Sequence, residues 1–220
     1  MTPTIWYWSF SMRILASALG LVLMTGCPST SVYRSANPIE PGTYQVGGAT
    51  SIGGISDVEQ ETRSATGQTE LMLRYGVVEN LDLGLKLFVP GVEGNATYRV
   101  HRGKLWSWAL LPSLSWVRSK ESSVTVDAIN AFASLGGVAS RPLSDKWEIG
   151  FGAYSGYGLY WPETGGRGHG VWVGSFALAD YQLRDRWHLT PELSMYKVVS
   201  GQVPVTGGAM QAGIALRVDL

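Results

Sequence analysis

The sequence predicts an all-β protein: an antiparallel up-and-down transmembrane β-barrel of about ten strands (roughly eight to twelve), preceded by a signal peptide. Three observations carry this expectation. The chain of 220 residues is 45% apolar but only 15% charged, whereas a soluble domain carries nearer a quarter charged residues. It contains 28 glycines, nine tryptophans and ten tyrosines, and barrels that span a bilayer use small residues inside and aromatic girdles at the two interfaces. From residue 42 onward, period-two alternation recurs between turn residues, and there is no convincing helical pattern.

The N-terminus reads as an address. Residues 13–27 are RILASALGLVLMTGC: one positive charge, an apolar run too short to span a bilayer as a helix, then small residues and the only cysteine. The ending Met24-Thr25-Gly26-Cys27 resembles the lipobox of bacterial lipoproteins, in which small residues precede a cysteine that is lipidated and becomes residue one after cleavage. Met24 stands where that family usually has Leu, with Leu23 one place upstream. The resemblance implies a signal peptide over 1–26, a covalent lipid anchor (palmitate) on Cys27, and a lipidated tether over 27–41. An ordinary signal peptide with a free cysteine behind it is the alternative. Met12-Arg13 offers a second start for a compact signal peptide. Pro28 follows the cysteine; in the sorting pattern that this site resembles, an Asp there retains a lipoprotein at the inner membrane, so the outer membrane is expected. Pro28, Pro38 and Pro41 make residues 29–41 read as a flexible tether.

Residues 42–220 are expected to form the barrel. In TELMLRYGVVENLDLGLKLFVPG, Leu71, Leu73, Tyr75 and Val77 share one face and Glu70, Met72, Arg74 and Gly76 the other. Leu81, Leu83, Leu85, Leu87 and Val89 continue the apolar face beyond the turn, alternating with Asp82, Gly84, Lys86 and Phe88. Matching the faces sets Val77 opposite Leu81 and leaves a three-residue loop over 78–80, with Asn80 in the left-handed position. Trp108, Leu110, Leu114 and Trp116, then Trp147, Ile149 and Phe151, then Trp187, Leu189, Leu193 and Met195, and finally Met210, Ile214, Leu216 and Val218 repeat the pattern. Pro112 and Pro191 predict bulges or weak pairing. The stretches 124–139 and 171–183 are too irregular for faces to be assigned.

Connections near 78–80, 101–104, 142–146 and 184–186 are short, and those near 54–67, 118–122, 162–170 and 200–204 are mostly longer. Periplasmic turns and external loops alternate in this way, which puts both termini on the periplasmic side. Tyr75, Trp106, Trp147, Tyr181 and Trp187 gather at the short-turn ends as one girdle. The periodicity, clearest at LRYGVVENLDLGLKL (73–87), resembles the small bacterial outer-membrane β-barrel proteins of uncharacterised function. The chain departs from them in ending on Leu220 rather than an aromatic residue. The competing reading is a soluble, lipocalin-like β-domain on a lipid anchor, with the apolar face inward. Against it, the other face is largely Gly, Ser, Ala and Thr, a poor water-facing surface.

Charged residues on the inward parity are Glu70, Arg74, Asp82, Lys86, Arg99, Glu148, Glu192 and Arg217. Isolated charges in a narrow lumen are costly and must pair, so a salt-bridged, closed lumen is expected, with Lys86 diagonal to Glu70. Seventeen basic and seventeen acidic residues cancel, with no basic cluster, which excludes nucleic acid as a partner. No cofactor is expected and no metal, since no ligand spacing supports one. The Gly-rich stretch 162–170 lacks the ending of a phosphate loop. For catalysis there are three histidines: His101 beside a short turn, His188 on a face with Thr190 and Glu192, and His169 in a loop with Glu163 and Arg167. None has a base placed beside a nucleophile. The expected role is structural or surface-binding, with outer-membrane lipid as the partner and the surface ligand unspecified. A narrow passive pore for small solutes is the second reading, and an outer-membrane hydrolase the third.

Overall fold

The structure, a computed structural model, describes residues 31–57, 62–120, 127–162, 167–202 and 207–220. The signal peptide, Cys27, Pro28 and Glu163 lie outside these. Ten strands follow in chain order: β1 (Tyr44–Asp57), β2 (Thr62–Val78), β3 (Leu81–Phe88), β4 (Gly91–Arg102), β5 (Ser107–Lys120), β6 (Asp127–Pro142), β7 (Trp147–Pro162), β8 (Gly168–Arg184), β9 (Trp187–Gln202) and β10 (Gly208–Asp219). Each pairs antiparallel with its chain neighbour. The β1–β10 ladder, from Gln45–Asp219 to Ser56–Gly208, closes the sheet into a barrel. Closure gives every strand two neighbours for its backbone N–H and C=O groups, the condition for β-structure in hydrocarbon.

The period-two pattern becomes two surfaces. Leu71 is 60% exposed and Leu85 43%, and Leu73, Leu83, Leu87, Trp108, Trp116, Phe151, Leu193 and Ile214 also face outward. Glu70, at 1%, and Asp82, at 0%, face the lumen with Arg74, Lys86, Ala109, Glu192 and Arg217. An apolar band around the outside of a closed barrel is stable only against lipid. The protein is an outer-membrane β-barrel, and the soluble reading with its apolar face inward is corrected. At the short-turn end Tyr44 packs on Tyr75, ring centroids 4.7 Å apart, and Trp147 stacks on Tyr181 at 4.5 Å.

Local details differ from the sequence reading. In the β2–β3 hairpin Gly76 pairs with Asp82 and Val78 with Leu81, so the turn is Glu79–Asn80 and Val77 is the extra residue of a bulge. The bulge keeps both Val77 and Val78 outward, which the simple three-residue loop did not. Among the described residues Tyr33 is the one non-glycine with positive φ, so Asn80 is not left-handed. Pro112 and Pro191 cause no register shift; pairing lapses between Asn95–Ser113 and Tyr98–Leu110 and between Leu178–Glu192 and Tyr181–Leu189, then resumes in step. A proline removes one donor, and the ladder tolerates that without an inserted residue. The connection read as 54–67 is mostly strand, with β1 running to Asp57 and β2 starting at Thr62.

The largest correction concerns residues 31–41, expected to be a flexible tether outside the fold. They run instead through the lumen. Ser31 lies beside Glu70 and Lys86, and Glu40–Gly42 turns into β1 beside Gly76. Gly42, at φ +79°, accepts a left-handed bend that a side chain would resist. The Gly42 amide donates to the Gly76 carbonyl at 2.8 Å, fixing the bend to β2. A thread with unpaired backbone groups enters a lumen because the wall supplies the acceptors.

Candidate functional site

The lumen holds three charge clusters, two of them linked, and the first centres on Arg74 of β2. Its guanidinium pairs with Asp82, donates to Gln45 Oε1 at 3.2 Å and reaches Thr97 Oγ1 at 3.3 Å. Arg74 faces Gly84 across the β2–β3 ladder, which leaves room for so large a side chain. Lys86 of β3 forms the second, standing 3.4 Å from Glu93 Oε2 and 3.9 Å from Glu70 Oε2. Register sets Lys86 beside Met72 and opposite Glu93, so Glu70 is its diagonal neighbour.

Arg217 of β10 anchors the third cluster, bonding Asp180 Oδ1 at 2.6 Å and Thr190 Oγ1 at 2.8 Å. His188 sits between two carboxylates, Nδ1 3.0 Å from Asp180 and Nε2 3.4 Å from Asp219. Gln45 joins this cluster to the first, accepting from Arg217 at 3.2 Å and donating to Asp219 at 2.7 Å. Thr190 donates its hydroxyl to Asp180, the carboxylate that also holds His188 and Arg217.

The threaded segment engages the remaining wall carboxylates. Glu192 accepts the Val32 amide at 2.7 Å and the Tyr33 amide through its other oxygen. Ser31 Oγ donates to Glu70 at 2.6 Å, and Lys86 Nζ donates to the Ser31 carbonyl at 2.8 Å. The Ala36 amide donates to Ser140 Oγ at 3.2 Å, Asn37 Nδ2 to both oxygens of Glu148 at 3.1 Å, and the Ile39 amide to Asp82 Oδ2 at 3.2 Å. Arg34 reaches the Ala96 carbonyl at 2.8 Å. Apolar contact completes the seat: Ala36 is buried with Leu111, Val138, Phe176 and Leu178, and Val32 packs at the edge of the same cluster.

Seven of the eight expected lumen charges therefore enter the clusters or hold the segment: Glu70, Arg74, Asp82, Lys86, Glu148, Glu192 and Arg217. Glu148 is half-buried and holds the segment through Asn37. Arg99 stands apart at the short-turn rim, bound to the Glu79 carbonyl and Asn80 Oδ1. Sequence reading missed Asp180, because β8 was one of the strands without a clear face, and it missed Glu93, Gln45 and the whole segment. One signal was present: Gly76 and Gly213 are glycines on the inward parity. A Cβ at Gly76 would strike the Glu40 carbonyl, and one at Gly213 would strike the Tyr33 hydroxyl.

Of the grouping of His169 with Glu163 and Arg167 in the Gly-rich stretch, Glu163 lies outside the described residues. His169 belongs to β8 and is exposed, its ring 6.0 Å from Tyr157. His101 is exposed at the end of β4.

The sequence matches no protein-family model and no curated protein. Among solved structures, the chain is similar to an outer membrane channel from Pseudomonas putida F1, with 11% identity and a TM-score of 0.55 over 89% of this chain and 100% of that one. It is also similar to Neisserial surface protein A (9% identity, TM-score 0.47, 80% and 96% covered) and to the outer membrane protease OmpT from Escherichia coli (7%, 0.47, 84% and 100%). At these identities the likeness is one of fold.

Proposed function

We propose that this outer-membrane barrel is closed at rest by its own residues 31–41 and serves a structural or surface-binding role through the connections at its longer-looped end. The observation that carries the reading is the filled lumen. From Ser31 to Ile39 the segment occupies the lumen and gives its polar groups to wall residues on β2, β3, β6, β7 and β9. A barrel of about ten strands is narrow before any chain enters it. Purified wild-type protein in a planar bilayer is expected to show no steady current while shifting in gel mobility on boiling. Steady single-channel conductance would overturn the closed resting state and favour the passive-pore reading.

A covalent lipid on Cys27 is the second part of the proposal, supported by the lipobox resemblance. The described chain that follows it is lumenal from Ser31 onward instead of a free tether. Cys27→Ser is expected to abolish incorporation of labelled fatty acid; full labelling of the variant would end the idea. A hydrolytic role is the third reading, and its histidine would be His188, held by Asp180 and Asp219.

A further inference from the structure

We propose that the lumen behind residues 31–39 is a conduit for small cations, and that this segment is its removable stopper. The inference goes beyond the closed resting state, since it concerns what the wall becomes once the segment leaves. The segment is not part of the barrel's ladders: β1 begins after it and closes against β10 without it. Its ties are hydrogen bonds to wall side chains, one from Arg34 to the Ala96 carbonyl, and a small apolar contact. The bend at Gly42 gives it a point to swing from.

Charge decides what the emptied lumen would pass. Arg74–Asp82 and Arg217–Asp180 are wall-to-wall pairs and stay. Lys86 faces two carboxylates, Glu70 and Glu93. Glu192 and Glu148 take their hydrogen bonds from Val32, Tyr33 and Asn37, all on the segment, and lose them when it departs. Arg34, the cation of the segment, departs with it. The open path therefore carries surplus carboxylate at two depths: Glu192, paired across the sheet with Leu178 and Gly213, and Glu148, paired with Pro142 and Asp180 nearer the short turns. Carboxylates facing a water-filled passage favour cations over anions. A space that admits an extended peptide with Tyr33 and Arg34 in place admits a hydrated monovalent cation.

The test uses the full chain with Tyr33→Glu and Ala36→Glu, which set carboxylates beside Glu192 and into the apolar seat. Three readouts are taken on protein that still shifts on boiling: tryptic cleavage after Arg34, single-channel current in a potassium chloride gradient, and reversal potential. Expected are new cleavage, new current and a reversal potential displaced towards that of potassium. Adding Glu192→Gln and Glu148→Gln should move the permeability ratio towards parity. A folded variant that is cut at Arg34 but silent, one that conducts without cation preference, or one whose Arg34 stays protected would each overturn the proposal. In the last case the segment is a fixed part of the core. If this variant does not fold, Gly76→Leu, which strikes the segment's backbone at Glu40, is carried through the same three readouts. Current from the wild type would refute the closed resting state alone; the ion preference and its dependence on Glu192 and Glu148 decide the conduit.

Discussion

Glu192 Oε1 accepts the backbone N–H of Val32 at 2.7 Å, across 160 residues of sequence. Its second oxygen takes the next amide, Tyr33, so one carboxylate caps two successive donors of the lumenal thread. A hydrogen bond to a charged group contributes about 1.5–3 kcal/mol. Glu192→Gln removes the charge and turns an NH₂ group towards one of the two N–H donors. Amide exchange at residues 32 and 33 is expected to quicken by roughly tenfold or more. Unchanged exchange would mean that the thread is held elsewhere.

Gly76 and Gly94 make a matched pair of tests. A Cβ at Gly76 collides with the backbone of Ile39 and Glu40, whereas one at Gly94 meets nothing within 4 Å. Gly76→Ala should therefore loosen the bend at 40–42 and expose Arg34 to trypsin. Gly94→Ala should change unfolding by no more than about 0.5 kcal/mol. Equal behaviour of the two variants would show that the bend is not set by contact with β2.

The contrast between these glycines also explains what could be read in advance. Strand faces were legible because lipid and lumen impose opposite polarity on alternate residues, and a run such as Leu81-Asp82-Leu83-Gly84-Leu85-Lys86 records both. β8 was harder, since Ala177, Leu178, Ala179 and Asp180 mix small, apolar and charged residues on both faces. The path of residues 31–41 was not legible at all. An extended thread has no ladder and no periodicity, and its specificity lies in wall groups such as Ser140 and Glu192 that come from distant strands. Pro38 and Pro41, with Pro28 before them, suggest a flexible linker in isolation; only the closed barrel supplies the acceptors that order residues 31–41.

Arg74 and Asp82 test the cost of a broken pair. Both are fully sequestered in the lumen, and Asp82 also holds the Ile39 amide. Arg74→Met strands a buried carboxylate and should destabilise the barrel by about 3–5 kcal/mol in urea unfolding from liposomes. Arg74→Met with Asp82→Leu should recover much of that loss, because no uncompensated charge remains. A double variant as weak as the single one would show that Arg74 matters mainly through Gln45 and Thr97, its other partners.

Leu85 and Val78 measure the membrane itself. Both are exposed on the outer face, but Leu85 sits mid-strand in β3 while Val78 ends β2 beside the Glu79–Asn80 turn. Arginine on a lipid-facing strand costs about 2–4 kcal/mol at the bilayer midplane and about 0–1 near the interface. Leu85→Arg should therefore weaken the folded state in liposomes several times more than Val78→Arg does, where the guanidinium reaches the headgroups. In water the two positions would be equivalent, since both side chains are already solvent-facing. Equal and small effects would contradict an outward apolar band set in lipid, and with it the inward assignment of every charged residue in the lumen.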